Sequence, residues 1–346
     1  PCALSLATPA AMTASTGSLT RLGVLTTRGH ALETLARATH IILDKTGTVT
    51  TGQLGLENVK VLGAESEAAC REIASALEQS SEHPIGRIVA GLSTSLKASE
   101  VVATPGMGVE GLVNGKRYRI GQEQFIQSWH ADLATESASG TQIILADESQ
   151  LLALFEFSDT LRSEAKEAIA QMQRLGVQVE LLSGDGQQAV ASVAEELGIQ
   201  NWQARQKPEQ KLQHVKALQA QGSVVAMVGD GVNDAPVLAG AQVSLAMGGG
   251  TQLAQATADM VLLSEHLLHL PEAITRSRQT LKIIRQNLAW AIIYNLVALP
   301  LAAMGFVAPW MAAIGMSASS LIVVLNALRL NISTEQSRKQ RAKRAT

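Results

Sequence analysis

The sequence holds only two cysteines, Cys2 and Cys70, among its 346 residues. A disulfide framework is therefore excluded, and a reducing compartment suits the chain better. Charge is also scarce: Asp, Glu, Lys and Arg make up 17% of residues, against roughly 25% in an average soluble domain. The formal net charge is −2, so no overall basic field would attract nucleic acid, and no such partner is expected. The 46% hydrophobic content excludes a disordered chain, and 28 glycines without a fixed period exclude collagen. No internal repeat or low-complexity tract is evident, and the length points to two or more domains.

Charge is missing most completely near the C-terminus. From Gln286 to Leu328, 43 residues pass without one Asp, Glu, Lys, Arg or His. A helix crossing a bilayer needs about 20 apolar residues, so this run fits two spans, 287–305 and 308–328, turning between Gly305 and Pro309. A buried soluble hairpin is the alternative, but core helices that long normally carry a polar face. Arg276, Arg278, Lys282 and Arg285 precede the pair, and Arg329, Arg338, Lys339, Arg341, Lys343 and Arg344 follow it. The positive-inside rule places both flanks in the cytoplasm, as a stalk over 273–286 and a basic tail over 329–346. The first charge at the other end is Arg21. Residues 1–20 read as the end of a third span, and 21–39 as a cytoplasmic stalk. The chain opens on Pro1 inside an apolar stretch without a charged leader. It is expected to be the C-terminal piece of a longer membrane protein rather than one starting with a signal peptide.

Residues 40–272 have a different pattern. Short β-branched runs end in small or acidic residues at Asp44, Asp185 and Asp230, with helical patterns between them, as over 162–175 and 187–197. This alternation predicts an α/β fold with a doubly wound parallel sheet, whose ligands bind at the carboxyl ends of the strands. Residues 53–156 break the alternation with a helical part over 65–96 and a hairpin turning at Asn114-Gly115. They are expected to form an insert that splits the sheet-bearing domain into a short leading segment, 40–52, and a longer trailing one, 157–272.

The sharpest chemical signal is Asp44-Lys45-Thr46-Gly47-Thr48, directly after a hydrophobic strand. A carboxylate at a strand end can attack a phosphoryl group and form an acyl phosphate. The charged group in transfer then needs cations and oriented amides around it. Candidates are present: Gly229-Asp230-Gly231-Val232-Asn233-Asp234 can hold Mg²⁺ with its waters. Lys211 offers a positive charge, and Ser183-Gly184-Asp185 adds a hydroxyl and amides at a third strand end.

These residues resemble the P-type ATPases, whose signatures are DKTGT, a TGD-like turn and GDGxNDxP. Here they stand at 44–48, at 183–185 with Ser for Thr, and at 229–236. The resemblance implies a phosphatase-like (HAD) phosphorylation domain with an inserted α+β nucleotide-binding domain, plus C-terminal transmembrane helices. It implies Asp44 as nucleophile and a catalytic set of Lys45, Thr46, Ser183, Gly184, Asp185, Lys211, Asn233 and Asp234. Asp44, Thr46 and Asp230 would hold Mg²⁺. Soluble relatives of this sheet often carry a second Asp two residues after the nucleophile as acid/base. Thr46 occupies that place, so the aspartyl phosphate should persist, as a pump requires. Ser81-Glu82-His83-Pro84 resembles the His-Pro signature of the heavy-metal branch. By that resemblance Glu78, His83, Gly106 and Gly108 bind ATP. Cys70 reads as a small buried apolar residue.

The membrane segments resemble the copper branch. Pro1-Cys2-Ala3 looks like the end of a Cys-Pro-Cys segment; Asn287, Tyr294-Asn295 and Pro300 fit N-x6-Y-N-x4-P, and Pro309, Met316 and Ser319-Ser320 fit P-x6-M-x2-S-S. The implied copper ligands are Cys2, Tyr294, Asn295, Met316 and Ser319. Thiolate and thioether are soft ligands suited to Cu(I) or Ag(I). No carboxylate or Lys lies within 286–328 to balance a dehydrated Zn²⁺. Arg285-Gln286-Asn287-Leu288, with Pro309-Trp310 and 312–316, also resembles pumps supplying haem-copper oxidase assembly. The resemblance implies a translocase exporting Cu(I) through an aspartyl-phosphate intermediate, driven by ATP and Mg²⁺, multi-pass in a bacterial inner membrane with its catalytic domains cytoplasmic. Its partners would be the lipid bilayer, a copper chaperone, and an N-terminal region carrying the actuator domain, whose Thr-Gly-Glu loop this chain lacks. The rival reading is a phosphatase-like hydrolase with a hydrophobic anchor.

Overall fold

A computed structural model describes residues 2–92, 94–130, 141–231 and 234–342, at 2, 141 and 332–342 for the backbone alone. The chain forms two compact units. One comprises 1–49, 162–184 and 190–346; the other comprises 50–161 with 185–189.

The first unit carries a seven-stranded sheet. Its strands are β1 (Val24–Thr26), β2 (His40–Asp44), β9 (Gln178–Leu182), β10 (Asn201–Gln203), β11 (Val225–Gly229), β12 (Val243–Met247) and β13 (Met260–Leu262). Their order is β1-β13-β12-β11-β2-β9-β10, parallel except for β1. The interior strands read as unbroken apolar runs because a doubly wound sheet is covered on both faces. Helices α8 (Pro208–Ala220), α9 (Ala235–Gly240) and α10 (Gln252–Thr257) pack together over β11 and β12. Helices α2 (Ala31–Ala36) and α6 (Ala165–Arg174) group with α11 (His269–Ala303). Ile42, Leu182, Val215, Met227 and Leu238 share one apolar core between sheet and helices. Helix α7 (Gln187–Leu197) follows β9. Strands β9 and β10 run outward from β2 on one side, and β11 to β13 on the other. The order therefore reverses between β2 and β11, the switch point where such sheets open a ligand crevice.

The second unit is a six-stranded antiparallel sheet in the order β3-β8-β7-β6-β5-β4. The strands are β3 (Thr50–Val61), β4 (Ala98–Thr104), β5 (Gly108–Val113), β6 (Lys116–Gly121), β7 (Thr141–Asp147) and β8 (Leu151–Leu161). Asn114 and Gly115, both at positive φ (51° and 79°), make the tight turn between β5 and β6. The helical stretch expected over 65–96 is two helices, α3 (Glu67–Glu78) and α4 (Pro84–Ala90). Pro84 sets the start of the second, because it disfavours helical backbone at His83, which sits extended as the cap of α4. Cys70 is buried in the core that α3 shares with the sheet, beside Ile73, Leu77 and Phe155. Burial pushes its thiol pKa up. The short α5 (Glu123–Gln127) completes the unit.

Three helices belong to the apolar ends of the chain. Helix α1 (Cys2–Arg21) packs against α11 and against α12 (Pro309–Ala342) through Ala7, Ala11 and Ala14. Among the described residues, α11 and the 309–331 stretch of α12 are long and apolar enough to cross a membrane. Only 11% and 17% of their most apolar windows are buried, unlike the core helices of a soluble body. Residues 304–308 turn between them, with Gly305 at φ 79°. Stalk and span, distinct by charge in the sequence, are one uninterrupted α11, and the basic tail continues α12 as helix as far as Ala342.

Candidate active site

The hydrophobic strand β2 ends at Asp44, and its parallel neighbour β11 ends one residue before Asp230. Both carboxylates thus stand at the switch point. The chain after Asp44 is a distorted turn, extended at Thr46 (φ −71°, ψ 128°) and left-handed at Gly47 (φ 69°). A Cβ on Gly47 would lie 2.6 Å from Asp230 Oδ2. Glycine is therefore required twice over, by the backbone conformation and by the close approach.

Lys211, from the first turn of α8, donates to Asp44 Oδ1 at 2.6 Å and to Asp234 Oδ1 and Oδ2 at 3.0 and 2.9 Å. Asp44, Lys211 and Asp234 are all buried, at 7%, 5% and 2% exposure. Burial pushes the Asp44 carboxyl up from 3.8 to about 7; the Lys211 cation pulls it down, while Asp234 and Asp230 push it further up. Burial alone would lower the Lys211 ammonium, but its two carboxylate partners raise it overall. Asp44 and Asp234 share Lys211, and the charge of Asp230 is felt at Asp44. An excess of hard oxygen donors at two adjacent strand ends, around a glycine that keeps the space open, fits Mg²⁺. Asp44 and Asp230 would hold it, and it would supply charge neutralisation to a phosphate group.

Other expected residues are placed with less convergence. Lys45 is buried and Thr46 exposed in the turn. Ser183 is buried after β9, its N–H donating to Gln203 O and its carbonyl accepting from Gln206 N–H, while Gly184 follows it exposed. Asp185 groups with the second unit. Asn233 lies outside the described residues, as does the side chain of Cys2.

One contributor went unseen in the sequence. Arg162, directly after β8, donates to Thr48 O at 2.9 Å, Gly47 O at 3.3 Å and Glu265 O at 2.9 Å. It pins the carbonyls of the turn that follows Asp44. Backbone acceptors leave no trace in a motif; the available signal was an arginine directly after a strand.

In the second unit, Glu78 ends α3 buried, with Oε2 unpartnered among the described residues. Burial raises its pKa against the pull of Ser81 and His83. His83 caps α4, its Nδ1 accepting from Ile85 N–H at 3.3 Å. Gly106 lies in the β4–β5 turn at φ 73°. At Gly108 a Cβ would meet Ile120 O at 2.3 Å and Gly121 Cα at 2.7 Å. The missing side chain there serves strand packing, not only the approach of a ligand.

Within the helical bundle, Tyr294 approaches Gly315, where a Cβ would stand 2.6 Å from its hydroxyl. Asn295 donates to Ala291 O, and buried Ser319 accepts from Trp290 Nε1. Met316 is exposed. Among the described residues no three His, Cys, Asp or Glu side chains converge as a metal site.

The sheet and its strand-end carboxylates define a class: residues 38–242 match the model of the haloacid dehalogenase-like hydrolases, and the chain belongs to that family. Its relatives within it are heavy-metal P-type ATPases. It is 41% identical over 96% of its length to a probable copper-importing P-type ATPase A of Enterococcus hirae, of which it covers 47%. It is 38% identical over 95% of its length to a copper-exporting P-type ATPase of Bacillus subtilis, covering 43% of that protein. The chain thus spans less than half the length of these relatives. A crystal structure of a zinc-transporting PIB-type ATPase in its E2.Pi state aligns with 95% of this chain and 56% of its own, at TM-score 0.84 and 35% identity. The catalytic domain of a CPx-ATPase aligns with 75% of the chain at TM-score 0.57 and 26% identity.

Proposed function

We propose that the chain is the phosphorylating, nucleotide-binding and C-terminal membrane portion of an ATP-driven Cu(I) exporter working through an aspartyl phosphate. The observation that carries the reading is the buried Asp44–Lys211–Asp234 cluster at the switch point, with Asp230 on the adjoining strand end. Asp44 is the nucleophile toward the terminal phosphate of ATP. Lys211 holds the attacking carboxylate in place and offsets charge during transfer. Arg162 keeps the turn amides oriented, and Thr46, having no carboxyl, supplies no base to hydrolyse the acyl phosphate. Glu78, His83, Gly106 and Gly108 serve the nucleotide in the second unit. Ser183, Gly184, Asp185 and Asn233 complete the phosphate surroundings.

Copper as cargo is supported by the copper-transporting names of the relatives and by the soft or neutral donors Cys2, Tyr294, Asn295, Met316 and Ser319. The zinc-transporting structural neighbour does not outweigh this, since 286–328 holds no carboxylate to balance a divalent ion. The relatives' names include both import and export. Export follows from cytoplasmic catalytic domains facing a reduced metal supply, with a copper chaperone as donor and an actuator domain elsewhere in the polypeptide. A multi-pass setting in a bacterial inner membrane belongs to the same proposal. The link to haem-copper oxidase assembly rests on 285–288 and 309–316 alone.

The test is acid-stable labelling from ATP labelled at the terminal phosphate. Asp44→Asn is expected to abolish labelling of the assembled pump; label retained on that variant would remove the nucleophile assignment.

A further inference from the structure

Helix α11 carries a continuous stripe along one face: Arg278, Leu281, Lys282, Arg285, Gln286 and Ala289. With Ala36 and Arg37 from the end of α2, these residues line an open cavity of about 570 Å³. Four of its eight lining residues are cations and none is a carboxylate. Arg278 is fixed into the wall, donating to Leu175 O at 2.7 Å and Ala36 O at 3.4 Å. Arg37, Lys282 and Arg285 are exposed and form no ion pair among the described residues. Concentrating like charge around one concavity without counter-charge is unfavourable unless an anion occupies it.

The position of the cavity selects the anion. Charge on α11 ends at Arg285, and the same helical stripe runs on through exposed Ile292, Ile293 and Leu296. The cavity therefore opens where the bilayer interface must lie, with lipid-facing apolar surface directly below it. A phosphate headgroup can sit among the cations while its acyl chains follow the apolar stripe; a free anion gains nothing from that second half. Basic pockets at the cytoplasmic edge of transmembrane helices favour such headgroups. We infer that the α2–α11 cavity binds the headgroup of an anionic phospholipid and so fastens the sheet-bearing unit to the inner leaflet. This site is separate from the Asp44 cluster, and it stands or falls independently of the transported ion.

The experiment is native mass spectrometry of the chain released from nanodiscs of phosphatidylcholine containing a minority of phosphatidylglycerol. The wild type is expected to retain phosphatidylglycerol in preference to phosphatidylcholine. Arg37→Ala/Lys282→Ala/Arg285→Ala should lower that preference by about tenfold or more, given on the order of 1 kcal/mol per cation near an anionic surface. A control variant, Arg338→Ala/Lys339→Ala/Arg341→Ala in the tail, should keep it. Lys282→Glu, a single surface change, gives the same direction should the triple variant misfold. Unchanged retention in the cavity variants would overturn the proposal. So would loss in the tail control alone, or displacement of the lipid by inorganic phosphate, which would mark a free-anion site. Retention by this chain that disappears in the longer polypeptide would show that another protein segment covers the cavity, and would also overturn it.

Discussion

Asp44 is a carboxyl held near the midpoint of its titration at neutral pH, with a pKa of about 7 against an ordinary 3.8. Between those values the folded chain keeps a proton that the unfolded chain has released. The group's contribution to stability is therefore greatest at or below about pH 4, declines as pH rises toward 7, and is flat above. Urea unfolding in the presence of a chelator should show this slope for the wild type and a flatter profile for Asp44→Asn. Lys211 provides a second residue-scale test. Replacing it by Met leaves Asp44 and Asp234 buried without their shared cation, and should cost about 3–5 kcal/mol. Asp44→Asn in the same chain should recover some of that loss in a double-mutant cycle. Asp44 and Asp230 were legible in the sequence because each stands in a short motif at the end of a hydrophobic strand, whereas Lys211, in the first turn of α8, was legible only as a cation suited to a phosphate. Arg162 was not, because its partners are carbonyls far along the chain. The packing need at Gly108 was hidden similarly, as a space that only the paired strand reveals.

Elements were legible where local chemistry fixes them. Asn114-Gly115 between two alternating runs marked the β5–β6 hairpin, since few other residues adopt positive φ cheaply. Gly115→Ala places a side chain at φ 79° and should destabilise the second unit by about 1–2 kcal/mol, read from its thermal unfolding. The interruption at His83-Pro84 and the start of α6 at Ala165 rather than at Arg162 were less visible. Propensity tolerates a longer helix in both places, while Arg162 is drawn away to the Gly47 and Thr48 carbonyls. The division of α11 into stalk and span follows from charge, which marks where solvent ends. It carries no information about whether the backbone breaks there, and the backbone does not.

For the whole molecule, the charge-free 43 residues separate the membrane portion from the α/β portion by composition alone. What composition could not convey is the switch-point geometry, which arises from strand order and not from any single segment. In the assembled pump, labelling of Asp44 from ATP should respond to Cu(I) and Ag(I) and not to Zn²⁺. Equal stimulation by Zn²⁺ would move the proposed cargo away from soft monovalent ions while leaving the proposal of Asp44 as nucleophile untouched.

Helix α11 runs 35 residues without interruption from the sheet-bearing unit into the apolar stretch, its one internal proline, Pro300, standing in the last turn. At about 1.5 Å per residue it is a strut of roughly 50 Å. A rod of that kind cannot absorb a displacement at one end by bending at a joint. Any tilt imposed beside the sheet must reappear at the far tip, magnified by length, so a displacement at the sheet-bearing end is carried along the apolar stretch without slack.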